Sequence, residues 1–218
     1  MSRPSRMIAF DFDGTLADTW RDLASALNHT LSGAGLDPIE GPQVKAWIGD
    51  GALKLLQRAL PPGQAEGERL EGHFERFRVA YDDCCLDTTV LYPGIRECLD
   101  ELAGESLAIA SNKPRRFLEP IVEGLVIGGY FFAALGGDSL PVSKPDPGVL
   151  RHLSGRLEEP PSEVWMVGDS ALDVRTGRAA GARTIGCAWG LSDVRELRQA
   201  GADFVLDHPR QIAPSILG

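Results

Sequence analysis

The stretch "MIAFDFDGT", residues 7–15, joins an apolar run to a pair of acids. Ile8–Phe10 has the composition of a buried strand, and it ends directly in Asp11-Phe12-Asp13. Carboxylates at the end of a buried strand are costly unless a positive group lies among them. The stretch therefore predicts a strand whose carboxyl end delivers two acids to a site that also holds a cation.

Strand and helix patterns alternate along the chain from residue 89 onward. Strand-like apolar runs occupy 106–111, 131–137, 163–169, 182–190 and 203–207, with helical patterns between them near 94–103, 114–126, 146–157, 171–180 and 192–199. Such alternation is typical of a parallel sheet covered by helices on both faces. With the strand ending at Asp11, it predicts a doubly wound, Rossmann-like α/β core.

Residues 16–88 interrupt this alternation. They contain helical patterns, among them "WRDLASALNHTLSGAG", "ALKLLQRAL" and "ERLEGHFERFRVAYDD", and no convincing strand. We therefore predict an α-helical cap domain at 16–88, inserted into a core domain formed by residues 1–15 and 89–218.

Composition excludes several classes of protein. With 31 acidic and 22 basic side chains the net charge is −9, which argues against a nucleic-acid partner. The four cysteines lack metal-ligand spacing, so neither structural zinc nor a disulfide scaffold is expected. The start "MSRPSRM" lacks the apolar core of a signal peptide, and the longest uncharged stretch, 124–137, is too short to span a bilayer. We expect a cytoplasmic protein without a membrane partner.

The predicted strand ends bring chemically active side chains to one edge of the sheet. The first strand delivers Asp11 and Asp13, the second delivers Ser111, Asn112 and Lys113, the segment after the third contains Lys144, and the fourth delivers Asp169, with Asp173 one helical turn later. Carboxylate oxygens in this number suit Mg²⁺, whereas a hydroxyl and a lysine suit a bound anion. Together they point to phosphoryl transfer.

The motifs "DFDGT" (11–15), "SN" (111–112), Lys144 and "GDSALD" (168–173) occur in the order found in the haloacid dehalogenase superfamily. The sequence resembles the branch of that superfamily with a helical cap inserted after the first strand. The resemblance implies that Asp11 attacks phosphorus and forms an aspartyl-phosphate. It implies that Asp13 protonates the leaving alcohol and then activates the hydrolytic water.

The same resemblance implies the binding roles. Asp11, the Asp13 carbonyl and Asp169 would bind Mg²⁺, and Asp173 would orient a metal-bound water or Lys144. The phosphate-binding residues would be Thr15, Ser111, Asn112 and Lys144. Two simpler structural roles stay open: Ser111-Asn112 could cap the helix that begins near Pro114, and Asp173 could serve the dipole of its own helix.

Asp13 favours a phosphatase or a phosphosugar mutase, because dehalogenases of this superfamily lack the second acid. The segments "WIGDGALKLLQRAL" (47–60), "YPGI" (92–95) and "IGCAWG" (185–190) are most similar to phosphoglycolate phosphatases and close relatives. We expect a Mg²⁺-dependent phosphatase acting on a small phosphorylated metabolite, with phosphoglycolate as the leading candidate. Pyrophosphatase, nucleotidase and sugar-phosphate phosphatase activities stay open.

Three further expectations concern the predicted cap and the assembly. Gly49, Asp50 and Gly51 could form a cap loop that meets the substrate. Lys54 lies where phosphonoacetaldehyde hydrolases carry their Schiff-base lysine, although an exposed helix lysine is the simpler interpretation. An idle scaffold that keeps the fold is the alternative outside enzymes, but no motif is broken. The sequence leaves monomer and homodimer open.

Overall fold

The computed structural model describes residues 6–218, in which strands and helices alternate. In chain order the elements are β1 (Arg6–Phe10), β2 (Ala17–Asp18), α1 (Trp20–Gly33), α2 (Gly41–Trp47), α3 (Ala52–Ala59), α4 (Gly67–Cys84), β3 (Val90–Leu91), α5 (Ile95–Glu101), β4 (Ser106–Ala110), α6 (Arg115–Gly124), β5 (Phe131–Leu135), α7 (Gly148–Ser154), β6 (Glu163–Gly168), α8 (Ala171–Ala180), β7 (Arg183–Cys187), α9 (Val194–Gln199), β8 (Phe204–Leu206) and α10 (Ile212–Leu217).

The main sheet of the described residues has six strands in the order β5-β4-β1-β6-β7-β8. Every neighbouring pair in it is parallel. The chain builds the sheet outward from β1 in one direction and then returns to build it in the other, so the strand order reverses between β1 and β6. Ligands of open α/β sheets bind at the carboxyl ends of the strands beside such a reversal. The predicted doubly wound α/β fold is confirmed.

Both faces of the sheet are buried, which explains why its strands are apolar throughout. Along β1, Ile8 and Phe10 join the core cluster on one face, whereas Met7 and Ala9 join the cluster on the other. This alternation is the two-residue period of a strand. Helices α5, α6 and α10 contribute to the first cluster, and α7 contributes to the second.

Helices α1 to α4 lie between β1 and the rest of the sheet in sequence, as the helical patterns predicted. Their buried side chains, such as Leu27 of α1 and Phe77 of α4, belong to the same core cluster as Phe10. Within residues 6–218, no helix combines the length and the apolar character that crossing a bilayer requires.

The expectation that residues 16–88 contain no strand is wrong at Ala17–Asp18. These residues form β2, which pairs antiparallel with β3, with Ala17 opposite Leu91. A strand of two residues is too short to show the alternation by which strands are recognised. The exact boundaries 15/16 and 88/89 stay a prediction, and residues 1–5 of the predicted core domain lie outside the described range.

Candidate active site

The turn after β1 is shaped by a glycine and places two acids in one crevice. Gly14 has a φ of +83°, and a Cβ there would lie 2.4 Å from Oδ2 of Asp169. Only glycine avoids both the backbone strain and this clash. The close approach brings the turn against the end of β6, so Asp11 and Asp169 reach the same place from neighbouring strands.

Lys144 is the buried cation among these acids. Its Nζ lies 2.9 Å from Oδ1 of Asp11 and 2.6 Å from Oδ1 of Asp173. The opposing carboxylates raise the pKa of Lys144 above its usual value even though burial opposes its charge. Lys144 is therefore a charged lysine held by two acids, and Asp173 fixes its position.

Asp173 also has the structural role that the sequence left open. Its Oδ2 accepts hydrogen bonds from the backbone and the hydroxyl of Ser170, which completes a capping box at the start of α8. One carboxylate thus caps α8 and orients Lys144.

Carboxylate oxygens of Asp11, Asp169 and Asp173 all lie within 4.8 Å of one another, and all three residues are buried. Burial, reinforced by the other two acids, raises the pKa of Asp169 to about 8. Burial likewise raises the pKa of Asp11 to about 6, although Lys144 opposes the shift. Lys144 contacts two of the three acids, Asp11 and Asp173, and supplies a single positive charge to the cluster. A divalent cation with oxygen ligands, such as Mg²⁺, fits this donor set and its charge.

Asp169 is held from two sides. Its Oδ1 accepts a hydrogen bond of 3.2 Å from the hydroxyl of Thr15, and its Oδ2 accepts one of 2.7 Å from the backbone N–H of Leu191. Trp189 in turn donates from Nε1 to the carbonyl of Thr15 at 3.1 Å. Thr15, which the resemblance placed on the phosphate, here uses its hydroxyl to position Asp169.

Asp13 has different partners from Asp11. Its Oδ1 accepts a hydrogen bond of 2.6 Å from Thr19 and one of 3.0 Å from Nζ of Lys113. Nζ of Lys113 also donates to the hydroxyl of Tyr81 on α4, at 2.7 Å. The carboxylate of Asp13 is thus outside the cluster of three acids, so only its backbone carbonyl is available for the predicted metal site.

Ser111 and Asn112 follow β4 and meet the site in different ways. The hydroxyl of Ser111 is buried and accepts the N–H of Lys113 at 3.2 Å. The side chain of Asn112 accepts from the N–H of Lys144 at 3.0 Å and donates to its carbonyl at 3.1 Å. Neither side chain caps α6, whose N-cap residue Pro114 has no side-chain cap. Asn112 instead fixes the backbone that carries Lys144.

The loop between α2 and α3 closes over this crevice. The carbonyl of Gly49 accepts a hydrogen bond of 3.4 Å from Asn112, and a Cβ on Gly51 would lie 3.1 Å from the Asn112 carbonyl. Gly49 and Gly51 line a cavity together with Asp11 and Ser111. Asp50 is exposed and pairs with Arg58, so its carboxylate does not line this cavity.

The cavity is small, with a volume of about 30 Å³. Its lining includes the acids Asp11 and Asp13, the buried lysine Lys113, and apolar side chains from α1, α3 and α6. If the anionic group of a ligand lay against Asp11, the rest of that ligand would thus contact Lys113 and the apolar side chains.

Three residues of the site had no assigned role in the sequence. The sequence places Lys113 after β4, next to Ser111 and Asn112, but gives it no role. Tyr81 lies in a highly charged helix, and Thr19 lies six residues beyond Asp13. None stands in a motif, because each is defined by a contact with Asp13 or Lys113 that exists only in the folded chain.

Comparison with known proteins agrees with this geometry. A family model described as haloacid dehalogenase-like hydrolase matches residues 8–187. The chain is 37% identical to a phosphoglycolate phosphatase of Pseudomonas fluorescens over 99% of this chain and 81% of that protein. It is 34% identical to a phosphoglycolate phosphatase of Haemophilus influenzae over 97% of this chain and 98% of that one.

A solved structure is also similar along its full length. The crystal structure of a predicted phosphoglycolate phosphatase from Haemophilus somnus superposes with a TM-score of 0.91 at 30% identity. The alignment covers 100% of both chains. The likeness therefore includes the helical segment between β1 and β4 as well as the sheet.

Proposed function

This chain belongs to the haloacid dehalogenase-like hydrolases and is a phosphatase of that family, and we propose that it hydrolyses phosphoglycolate through an aspartyl-phosphate on Asp11. The proposed substrate is the one named for the relatives that match almost the whole chain. The small cavity over Asp11 supports a small phosphate monoester.

The separate surroundings of Asp11 and Asp13 carry the proposal. Asp11 lies beside Lys144 and the acid cluster, whereas Asp13 contacts Thr19 and Lys113. Two carboxylates with different partners can take different roles, one as nucleophile and one as proton donor and acceptor. This arrangement is what a two-step phosphate transfer through the enzyme requires.

In the first step Asp11 attacks phosphorus. Its Oδ1 is held by Lys144 at 2.9 Å and by the N–H of Phe12 at 2.7 Å, so we assign the attack to Oδ2. The P–O bond to the leaving alcohol breaks as the bond to Asp11 forms. Ser111 and the charge of Lys144 would stabilise the phosphoryl oxygens, which carry negative charge throughout.

Asp13 would act as the general acid in the first step and as the general base in the second. It donates a proton to the departing ester oxygen and then, as a carboxylate, takes one from the water that attacks the phosphoryl group. Thr19 and Lys113 hold its side chain at the edge of the cavity where the leaving group would lie.

Mg²⁺ fits the residues at the acid cluster, and we propose that Asp11, the Asp13 carbonyl and Asp169 hold it. When bound, it would supply the positive charge that the buried acids and a phosphate dianion together require. Lys144, positioned by Asp173 and Asn112, would share that task.

The alternatives within the family differ in substrate rather than in chemistry. Pyrophosphatase, nucleotidase and sugar-phosphate phosphatase or mutase activities use the same acids. Phosphonoacetaldehyde hydrolysis would require Lys54 as a Schiff-base amine, but Lys54 is exposed, whereas such lysines are activated by desolvation. The cytoplasmic location, the lack of nucleic-acid and membrane partners, and the monomeric or dimeric state stay predictions.

Phosphate release from a panel of esters tests the proposal. The panel contains phosphoglycolate, pyrophosphate, nucleoside monophosphates, sugar phosphates and phosphonoacetaldehyde, each with the wild type and with Asp11→Asn, in Mg²⁺ and in EDTA. We expect preferential hydrolysis of phosphoglycolate that Asp11→Asn and EDTA both abolish. Undiminished hydrolysis by Asp11→Asn would contradict the mechanism, and preference for another ester would contradict the substrate.

A further inference from the structure

Among the described residues that line the cavity over Asp11, Lys113 is the only one with a basic side chain. Only 3% of its side chain is exposed, although lysine is among the residues least often buried. Lys144, the other buried lysine of the site, is already held by Asp11 and Asp173. Of these two lysines, Lys113 is the one that lines the cavity, where the part of the substrate beyond the phosphoryl group would lie.

The ammonium group of Lys113 has a defined position. Its Nζ donates to the two carboxylate oxygens of Asp13, at 3.0 and 3.4 Å, and to the hydroxyl of Tyr81 at 2.7 Å, and it also lies 4.6 Å from the centre of the Tyr81 ring. An ammonium group has three donors, and the long 3.4 Å contact is the one that a ligand anion can replace while Asp13 and Tyr81 keep one hydrogen bond each.

Tyr81 is itself fixed by aromatic neighbours. Its ring stacks on Phe77 at 5.7 Å and meets the edge of Phe117 at 5.1 Å, and all three rings are buried. The hydroxyl of Tyr81 therefore holds Lys113 in place from α4. A cation with so little freedom loses little entropy when it binds an anion.

The rest of the cavity wall near Lys113 is apolar, with Leu23, Ile48, Leu55 and Phe117. A carboxylate placed against this surface without a cation would lose its hydration without compensation. A buried, preorganised ammonium group therefore discriminates between an anionic and a neutral leaving group.

We propose that Lys113 is the specificity-determining residue of this phosphatase and binds a carboxylate on the leaving alcohol, which makes the substrates phosphate esters of 2-hydroxy acids. The inference rests on the proposed function, because it assumes that Asp13 meets the ester oxygen. The substrate carboxylate would replace the 3.4 Å contact between Lys113 and Asp13 and would compete with Asp13 for the charge of Lys113.

The position of Lys113 suits a short substrate. Nζ of Lys113 lies 3.0 Å from the Asp13 oxygen that it contacts, so the two groups can meet neighbouring atoms of one ligand. In phosphoglycolate the carboxylate carbon is two bonds away from the ester oxygen. An ester oxygen that accepts a proton from Asp13 would therefore bring this carboxylate to Nζ.

Two matched esters separate carboxylate recognition from general catalysis. Phosphoglycolate and 2-hydroxyethyl phosphate have the same number of carbon atoms. The first has a carboxylate where the second has a neutral hydroxymethyl group. We expect the wild type to prefer phosphoglycolate in kcat/KM by about 10- to 100-fold, the range of a charge-assisted hydrogen bond. We expect Lys113→Met to lose that preference, chiefly through a higher KM for phosphoglycolate.

The control is Lys54→Met, which removes an exposed lysine of α3 outside the cavity lining and should keep the wild-type preference. Lys113→Met also removes the hydrogen bond that positions Asp13, which would lower kcat for both esters alike. The ratio of the two kcat/KM values therefore reports recognition of the carboxylate alone. An unchanged ratio in Lys113→Met, or a wild type without preference, would overturn the inference and leave the phosphatase activity in place. Hydrolysis of neither ester by the wild type would instead overturn the proposed function.

Discussion

Asp11 and Asp13 lie two residues apart on one turn, and within residues 6–218 their carboxylates have different hydrogen-bond partners. Asp11 contacts Lys144 and the N–H of Phe12, whereas Asp13 contacts Thr19 and Lys113. The intervening Phe12 is fully buried in the core, which anchors the turn that carries both acids. The two carboxylates thus have separate surroundings, as the proposed roles of nucleophile and proton donor require.

The role of Asp13 predicts a dependence on the leaving group. Asp13→Asn cannot donate a proton, so we expect kcat/KM for phosphoglycolate to fall by about 10²- to 10⁴-fold. An aryl phosphate, whose leaving group departs without a proton, should lose much less in its first step. Steady-state assays of both esters measure the difference, and equal losses for the two would contradict the assignment.

Asp169 predicts a metal affinity that can be measured without turnover. Asp169→Asn replaces a carboxylate of the proposed metal site by a neutral amide, so we expect Mg²⁺ to bind at least about 10-fold more weakly in calorimetric titration. Asp37→Asn, at an exposed carboxylate, is the matched control. Equal Mg²⁺ affinity in the wild type and Asp169→Asn would place the metal elsewhere.

The site residues visible in the sequence are those that follow buried strands. Asp11, Ser111 and Asp169 each come directly after an apolar run, and the sheet then brings them together. Tyr81 could not be predicted, because its helix is charged and its role depends on a contact with Lys113 from a distant segment. The sequence also did not show that Thr15 would position Asp169.

At the scale of elements, a buried carboxylate joins the two chain segments that connect the helices to the sheet. Asp22, in the first turn of α1, accepts hydrogen bonds from the N–H groups and hydroxyls of Thr88 and Thr89. These residues lie next to β3, which pairs with β2. These hydrogen bonds thus connect the start of the helical segment α1–α4 to the chain that follows its end.

Asp22→Asn should destabilise the fold while leaving the site residues in place. The NH₂ group of the amide would face the N–H and hydroxyl donors of Thr88 and Thr89, and the charge-assisted hydrogen bonds to the carboxylate would be lost. We therefore expect the free energy of unfolding to fall by about 2–3 kcal/mol. Urea denaturation measures the change, with the exposed Asp83→Asn as control. A decrease in the free energy of unfolding no larger than that of Asp83→Asn would show that the hydrogen bonds of Asp22 contribute nothing to stability.

The elements that the sequence predicted well are long or strongly patterned. The strands of the parallel sheet are buried on both faces and so read as continuous apolar runs, and α1 and α4 extend over 14 and 18 residues. The two residues of β2 carry no pattern, and their pairing depends on the turn at Gly14 and on Asp22. Short elements of this kind are defined by tertiary contacts.

At the scale of the whole molecule, the helical segment and the sheet share one core cluster, and the site lies where they meet. Leu23 and Leu55 from the helices line the same cavity as Asp11 and Ser111 from the strand ends. A substrate in this cavity would contact both parts of the chain and be shielded from water.

The uncompensated charge of the acid cluster predicts that Mg²⁺ stabilises the protein. At a free Mg²⁺ concentration about 100 times its Kd, the expected gain is about 2.7 kcal/mol, which corresponds to a rise in Tm of about 5–10 °C for a chain of this size. Thermal denaturation in Mg²⁺ and in EDTA measures it. Asp169→Asn should show a much smaller rise, and an equal rise would contradict binding at this cluster.

The covalent intermediate on Asp11 is the central claim, and Asp13→Asn with an aryl phosphate tests it most directly. In this variant the first step needs no acid, whereas hydrolysis of the intermediate lacks its base, so phosphorylated protein should accumulate. We predict a burst of about one phenol per protein and, after acid quenching, a phosphoryl group on Asp11 by peptide mass spectrometry. Steady release of phenol without a burst and without labelled Asp11 would contradict the account.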